Sequence, residues 1–277
     1  MKILQRATAV VVCGVAGLMF AAGEMGAAEK AAAPKGAEVK QSEWKGFTRL
    51  DFEVAGRPAL LVVPKEAAPG RPWIWRTEFF GHEPQGDLAL LERGWHVAYL
   101  NAQNMYGSPR AIALMETFHA HVRKNYGLAE RVVLEGFSRG GLYAFNYAVA
   151  HPHQVAALYL DAPVLDITSW PGRKRESKEW RECLAVYGLT EETVATFKGG
   201  PLDNIDVVAK AGVPILSICG GADSTVPMAE NTSKLEKRYH ELGGTMEVIV
   251  KNGGEHHPHS LKDPTPIVNF IVQHAKF

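Results

Sequence analysis

The sequence predicts an α/β fold in which helices cover both faces of a mainly parallel sheet. After residue 45, short apolar runs alternate with longer segments of helical periodicity, which is typical of parallel strands joined by helices. The chain has 277 residues, 46% of them hydrophobic, which suits one large domain. Its 30 basic and 30 acidic residues cancel, so the charge gives no reason to expect nucleic acid as a partner.

The first half of the domain begins with a hairpin. Turn-forming residues at 55–58 separate two apolar runs, so we expect strands over 47–54 and 59–63. Pro109 suits the first turn of an amphipathic helix that the apolar spacing predicts over 108–126. The other elements predicted in this half are strands at 73–75 and 95–100 and a helix at 82–93.

The second half continues the alternation until an insertion interrupts it. Residues 167–210 are rich in charge and contain helix-like pieces at 178–187 and 191–197. We interpret this segment as a small helical cap inserted over the active-site edge of the sheet. The remaining predicted strands are 131–135, 156–160, 215–219 and 246–250, and the remaining helices are 142–150, 229–242 and 266–275.

The N-terminus has the pattern of a secretory signal peptide. Lys2 and Arg6 precede an apolar run at 7–22, and small residues follow it. Because the run is shorter than the ~20 residues of a membrane span, we favour cleavage over a retained anchor. We therefore expect a secreted or periplasmic protein with no stable membrane insertion. The predicted divisions are a signal peptide at 1–28, a linker at 29–44 and a domain at 45–277.

The most specific motif is G-F-S-R-G at residues 136–140, between a predicted strand and a predicted helix. Such a motif forms a sharp turn that exposes the serine hydroxyl above the sheet, and its glycines make room for the turn. Ser138 is therefore the candidate nucleophile. The backbone N–H of Arg139 is a candidate donor to an oxyanion.

A serine nucleophile needs a base, and the base needs an acid that orients it. In a parallel sheet, both come from loops beyond the carboxyl ends of strands. Asp223 follows the strand at 215–219 in a glycine-rich loop and is the expected acid, with a helix cap or turn as its structural alternative. Asp161 ends another strand, but the Ala-Pro pair after it suggests a structural turn.

Three histidines share the loop after the last predicted strand. We favour His256 as the base because it directly follows the turn, where a short loop aims its side chain over the strand ends. His257 and His259 stay open as alternatives for the base. The two histidines that are not the base are expected to orient the loop or contact substrate. We expect no metal at these histidines, since the loop lacks a good accompanying ligand pattern.

The loop after the strand at 73–75 is expected to supply the second oxyanion donor, the backbone N–H of Phe79 or Phe80. The Arg139 side chain either braces the turn through a salt bridge or points at an oxyanion or an acidic group of the substrate. Arg76 is either a surface charge or a substrate-binding group. Further candidate substrate contacts are His257 and the aromatic residues Trp170 and Trp180, which alternatively anchor the cap to the core.

Together, these residues resemble the α/β-hydrolase superfamily from about residue 45 to the end. Ser138, Asp223 and His256 match its nucleophile, acid and base in chain order. The sequence as a whole resembles secreted bacterial hydrolases of the dienelactone-hydrolase or prolyl-oligopeptidase-like type. The serine-arginine pair also resembles glucuronoyl esterases, in which the arginine helps to stabilise the oxyanion, although those enzymes carry a cysteine at the position of Phe137.

The resemblance implies a serine hydrolase, while the superfamily fold by itself leaves the substrate open. We expect hydrolysis of carboxylic esters through an acyl-enzyme, without a cofactor. The expected substrates are small esters or acyl groups on extracellular carbohydrate. One alternative is a serine peptidase of the prolyl-oligopeptidase-like type. Another is a non-catalytic binding protein on the same fold, against which the presence of all three catalytic residue types argues.

Overall fold

The computed structural model describes residues 39–277, so the predicted signal peptide and most of the predicted linker lie outside the described residues. The described residues form one nine-stranded sheet with helices on both faces. Its strands are β1 (Lys40–Trp44), β2 (Phe47–Val54), β3 (Arg57–Val63), β4 (Trp73–Arg76), β5 (His96–Leu100), β6 (Val132–Phe137), β7 (Val155–Asp161), β8 (Ile215–Gly220) and β9 (Met246–Lys251).

The sheet has the spatial order β1-β2-β3-β5-β4-β6-β7-β8-β9. Strands β4 to β9 run parallel to one another. Strands β1, β2 and β3 lie at one side of the sheet and pair antiparallel with their neighbours. Between β2 and β3, Ala55 and Gly56 both have positive φ, as a two-residue hairpin turn requires. The loops after β6, β7, β8 and β9 therefore emerge side by side at one edge of the sheet.

Helices cover the sheet on both faces and bury two hydrophobic cores. No helix among residues 39–277 is both long enough and apolar enough to cross a bilayer. The helices are α1 (Gln85–Leu91), α2 (Pro109–Tyr126), α3 (Gly140–Ala150), α4 (Lys178–Tyr187), α5 (Ile205–Lys210), α6 (Thr232–Glu241) and α7 (Thr265–His274). The larger core contains residues of α2, α3, α4, α5 and α6, and the smaller core contains residues of α1 and α7.

The predicted α/β-hydrolase fold is confirmed, with two boundaries corrected. The last residues of the predicted linker form β1, because they pair with β2 in continuous register. The helix predicted at 82–93 is shorter than expected. It begins only after Pro84, since Glu83 has a positive φ of 45°, a conformation that cannot belong to a right-handed helix.

The insertion at 167–210 packs against α3 and the loop before α2. It contains α4, α5 and two short 3₁₀ turns. The Tyr187 hydroxyl of α4 donates a hydrogen bond to the Tyr106 carbonyl at 2.8 Å and accepts one from Asn146 of α3 at 3.2 Å. These contacts attach the insertion to the face of the sheet that α3 covers.

Two buried imidazoles make the fold sensitive to acid. Burial lowers the pKa of both His96 and His119 from the ordinary 6.5 to about 4, because the charged form loses its hydration. Below pH 6.5 the unfolded chain therefore binds more protons than the folded chain, so stability falls on acidification. At pH 5 the loss amounts to about 2 kcal/mol for each imidazole.

We predict that His119→Gln flattens this pH dependence. Glutamine keeps a donor for the Glu130 carbonyl, which lies 2.8 Å from His119 Nε2, but it does not titrate. The free energy of unfolding, measured in urea at pH 7 and pH 5, should fall by about 2 kcal/mol less in the variant than in the wild type. His153→Gln, at an exposed histidine, is the control. An equal fall in wild type and His119→Gln contradicts the prediction.

Candidate active site

Ser138 lies at the tip of a sharp turn between β6 and α3. Its φ is 49°, a left-handed conformation that costs a non-glycine residue energy and persists only where the surroundings enforce it. The flanking glycines make the turn sterically feasible. A Cβ on Gly136 would lie 2.9 Å from the Gly140 carbonyl oxygen, and a Cβ on Gly140 would lie 3.0 Å from Thr77 Oγ1. The Ser138 side chain therefore stands above the carboxyl edge of the sheet.

Ser138, His256 and Asp223 form one chain of hydrogen bonds. His256 Nε2 lies 2.9 Å from Ser138 Oγ, and His256 Nδ1 lies 2.7 Å from Asp223 Oδ2. The other carboxylate oxygen of Asp223 accepts the backbone N–H groups of Thr225 and Val226 at 2.9 and 2.8 Å. With its carboxylate fixed by its own loop, Asp223 holds the His256 ring toward the serine.

Close backbone packing between two loops brings the histidine to the acid. The loop after β8 carries Asp223, and the loop after β9 carries His256. A Cβ on Gly220 would lie 2.3 Å from the Glu255 carbonyl oxygen, so only glycine allows this approach. The Ala222 N–H also donates to the Gly254 carbonyl at 2.8 Å. These contacts set the register of the two loops.

A second histidine–aspartate pair lies beside the first. His259 Nδ1 lies 2.7 Å from Asp161 Oδ1, and the Ser260 N–H donates to Asp161 Oδ2 at 2.8 Å. Asp161 is fully buried at the end of β7, and its backbone carbonyl accepts the Ser138 N–H at 2.9 Å. Asp161 thus joins the serine turn to the histidine loop, while His256 alone among the three loop histidines reaches the Ser138 hydroxyl.

A cavity of about 340 Å³ opens above Ser138. The segment 167–210, all of it within the described residues, contributes no residue to this lining. It contacts α3 and the loop before α2, and its role as a cap over the active-site edge stays a prediction. The lining residues are Phe79, Phe80, His82, Ser138, His256, His257 and His259.

The loop after β4 forms one wall of this cavity. Phe79 has a positive φ of 55°, which turns the backbone sharply beside Ser138. Within residues 39–277, no backbone carbonyl accepts a hydrogen bond from the N–H groups of Phe79, Phe80 or Arg139. These donors remain available to an oxygen atom of a bound molecule.

The Arg139 side chain braces the turn. Its Nε lies 3.4 Å from Glu78 Oε1, and its Nη1 donates to Asn104 Oδ1 at 3.2 Å. Its guanidinium also lies over the rings of Phe79 and Tyr106. Burial raises the pKa of Glu78, and the charge of Arg139 partly offsets that effect. Of the two roles considered for this side chain, the contacts correspond to the salt bridge.

Both roles considered for Arg76, a surface charge and a substrate-binding group, are wrong. Its side chain is fully buried and forms ion pairs with Asp87 at 3.0 Å and Glu135 at 2.8 Å. It also donates to the carbonyls of Phe79 and His82 at 3.1 and 2.6 Å. Burial and these two carboxylates keep the guanidinium beneath the loop, where it cannot contact substrate. Arg76 supports the wall of the cavity from below.

Of the two roles considered for Trp170 and Trp180, the contacts correspond to anchoring the insertion to the core. Trp180 is fully buried in the larger core, and its indole N–H donates to Glu191, so it anchors the insertion and cannot bind substrate. Trp170 is half-buried, packs against the same core and stacks on Tyr106 at a centroid distance of 6.1 Å. Neither residue lines the cavity above Ser138.

His257 and His82 lie at the mouth of the cavity. His257 is exposed, and its pKa is lowered by desolvation and by the neighbouring histidines. His82 lies 5.9 Å from the rings of both His257 and His259. Sequence reasoning missed His82, because a lone histidine after a glycine carries no motif. Its position in the loop after β4 was the one available signal.

The comparisons with solved structures show the same fold at low identity. The acylaminoacyl peptidase of Pyrococcus horikoshii has 14% identity and a TM-score of 0.60, over 87% of this chain and 42% of that one. Dipeptidyl peptidase 4 of Porphyromonas gingivalis has 15% identity and a TM-score of 0.61, over 86% of this chain and 35% of that one. This chain thus spans less than half the length of these peptidases.

A hydrolase of similar length matches equally well. The S-formylglutathione hydrolase of Agrobacterium tumefaciens has 15% identity and a TM-score of 0.60, over 85% of this chain and 96% of that one. No curated protein matches the sequence. The profile of the prolyl oligopeptidase family matches residues 95–277. Because that match covers more than half of the 277 residues, this chain belongs to the prolyl oligopeptidase family.

Proposed function

We propose that this protein hydrolyses small carboxylic esters through an acyl-enzyme on Ser138. The observation that carries the proposal is the hydrogen-bond chain from Asp223 through His256 to Ser138, with distances of 2.7 and 2.9 Å. A nucleophile, a base and an orienting acid in this geometry are what acyl transfer requires. The proposed roles are nucleophile for Ser138, base for His256 and orienting acid for Asp223.

In the proposed first step, His256 Nε2 removes the Ser138 hydroxyl proton as Oγ bonds to the ester carbonyl carbon. Asp223 stabilises the imidazolium that forms. The tetrahedral intermediate then collapses, the carbon–oxygen bond to the alcohol breaks, and His256 returns the proton to the leaving alcohol. Water repeats the sequence on the acyl-enzyme, releasing the acid and restoring Ser138.

The N–H groups of Arg139 and of Phe79 or Phe80 are the proposed donors to the oxyanion. All three are free of backbone acceptors in the described part of the chain, and Phe79 and Phe80 line the cavity. Fixed backbone donors in a site shielded from water are worth about 3 kcal/mol of transition-state stabilisation each. The Glu78–Arg139 pair keeps this part of the turn in place.

A small substrate is favoured by the size of the cavity. Its volume of about 340 Å³ lies near the lower limit of small-molecule sites. The Phe79 and Phe80 rings suit an apolar acyl or alcohol group, and the fold likeness covers almost all of a hydrolase named for S-formylglutathione. Acyl groups on extracellular carbohydrate also fit the proposal, if residues 1–28 direct the protein out of the cytoplasm.

Peptide hydrolysis is the second candidate function. It is favoured by the family to which the chain belongs and by the acylaminoacyl and dipeptidyl peptidases among its structural neighbours. Both reactions use the same nucleophile, base and acid. They differ in the leaving group, which is an alcohol from an ester and an amine from a peptide.

Activity assays with matched substrates test the proposal. We predict turnover of p-nitrophenyl acetate and butyrate, no turnover of aminoacyl p-nitroanilides, and a loss in kcat of at least ~10⁴-fold in Ser138→Ala. Ser42→Ala, at an exposed serine of β1, is the control and should keep wild-type activity. Selective cleavage of the anilides supports the peptidase, and turnover of neither class contradicts the proposal.

Asp161 is proposed to position the catalytic groups without touching substrate. It accepts hydrogen bonds from His259 and Ser260 through its carboxylate, and from Ser138 through its backbone. Loss of one carboxylate oxygen frees the loop that carries His256. Small displacements of a catalytic group cost up to about 10²-fold in rate.

We predict that Asp161→Asn lowers kcat for p-nitrophenyl acetate by about 10²-fold and leaves KM almost unchanged, because the cavity walls remain. Asp263→Asn, at an exposed aspartate in the connection between β9 and α7, is the control. Steady-state kinetics at 25 °C provide both constants. An unchanged kcat, or a rise in KM alone, would show that Asp161 does not position the base.

A further inference from the structure

Four imidazoles line the cavity above Ser138, and we call them the histidine cluster: His82, His256, His257 and His259. The ring centroids of the three loop histidines lie 4.7 to 4.9 Å apart. One ring nitrogen of each of these three histidines lies within 4.8 Å of the others. His82 adds a fourth ring at 5.9 Å from two of them. Imidazole nitrogen is a common ligand of transition-metal ions.

Two carboxylates orient two of these rings as metal-binding histidines are oriented. A carboxylate oxygen of Asp223 is hydrogen-bonded to Nδ1 of His256, and one of Asp161 is hydrogen-bonded to Nδ1 of His259. A histidine ligand almost always donates its other ring N–H to a carboxylate or carbonyl, which fixes the tautomer. The ring lone pairs then lie on the Nε2 atoms, and that of His256 faces Ser138 Oγ at 2.9 Å. His259 Nε2 makes no hydrogen bond to any of residues 39–277.

The third ring can complete the site by rotation. Tetrahedral zinc binds nitrogen at about 2.0–2.1 Å, which places ligand nitrogens about 3.4 Å apart. The 4.8 Å spread is wider than this, so binding requires the rings to move inward, and His257 is the exposed one of the three.

We propose that the histidine cluster binds a divalent transition-metal ion of the zinc type through His256, His257 and His259. A water molecule or His82 takes the fourth position. The spacing of the three histidines along the chain gave no reason to expect this site. The reason comes from the two buried carboxylates, which orient the rings of His256 and His259. Because the ion occupies the lone pair of His256 Nε2, the metal-bound protein is inactive. This inhibition rests on the proposed function, whereas the metal site itself does not.

Metal binding is tested first in Ser138→Ala protein, where no activity is required. We predict that Zn²⁺ added alone competes with a chromogenic indicator for one site per chain at pH 7.5. Co²⁺ should give the visible absorption of a tetrahedral complex, which EDTA removes. His259→Ala and Asp161→Asn should weaken Zn²⁺ binding by about 10- to 100-fold. His153→Ala, at an exposed histidine outside the cluster, should bind as tightly as the parent.

Inhibition is then measured on protein with the native serine. Zn²⁺ should inhibit ester hydrolysis reversibly, with the same concentration dependence as binding, and the inhibition should weaken in His257→Ala. Equal binding by the parent and His259→Ala overturns the metal site. Tight binding without inhibition of an active enzyme overturns the blocking of His256. If no ester is turned over but Zn²⁺ binds as predicted, the proposed function fails while the metal site stands.

Discussion

The hydrogen bond between His256 and Ser138 depends on a strained turn that the rest of the sheet holds in place. Ser138 keeps a positive φ because its N–H is bonded to the Asp161 carbonyl and its carbonyl accepts the Val164 N–H. These contacts connect the end of β6 to the chain after β7. The loops after β8 and β9 then bring Asp223 and His256 to the same edge. The site is thus assembled by strand order and by backbone contacts between neighbouring loops.

A buried cluster of charged residues supports the cavity wall that the loop after β4 forms. Arg76 at the end of β4 contacts Asp87 of α1 and Glu135 of β6, and it also binds carbonyls of the loop that carries Phe79. Burial raises the pKa of Glu135 well above its usual value, and Arg76 offsets only part of this effect. The cluster lies between the loop and the strand of the nucleophile. Removing one partner would leave the others buried without the groups that pair with them, which proteins tolerate poorly.

The sequence was sufficient where a residue type is dictated by local geometry. The alternation of strands and helices predicted the fold. The glycines around Ser138 and the loop position of Asp223 suggested that these two side chains lie at the same edge of the sheet. It was insufficient where burial depends on distant partners. The carboxylates that bury Arg76 lie on α1 and β6, and Trp180 is covered by the core around its helix. The pairing of β1 and the position of His82 likewise depend on tertiary contacts that no local pattern encodes.

The most direct measurement is covalent labelling of the serine by a fluorophosphonate, followed by intact-mass and peptide mass spectrometry. The account predicts one adduct per chain, located on Ser138, and a labelling rate at least ~10³-fold lower when His256 is changed to alanine. Labelling should be absent in Ser138→Ala. Failure of the wild type to react, or an equal rate in the His256→Ala protein, would contradict the claim that His256 activates Ser138.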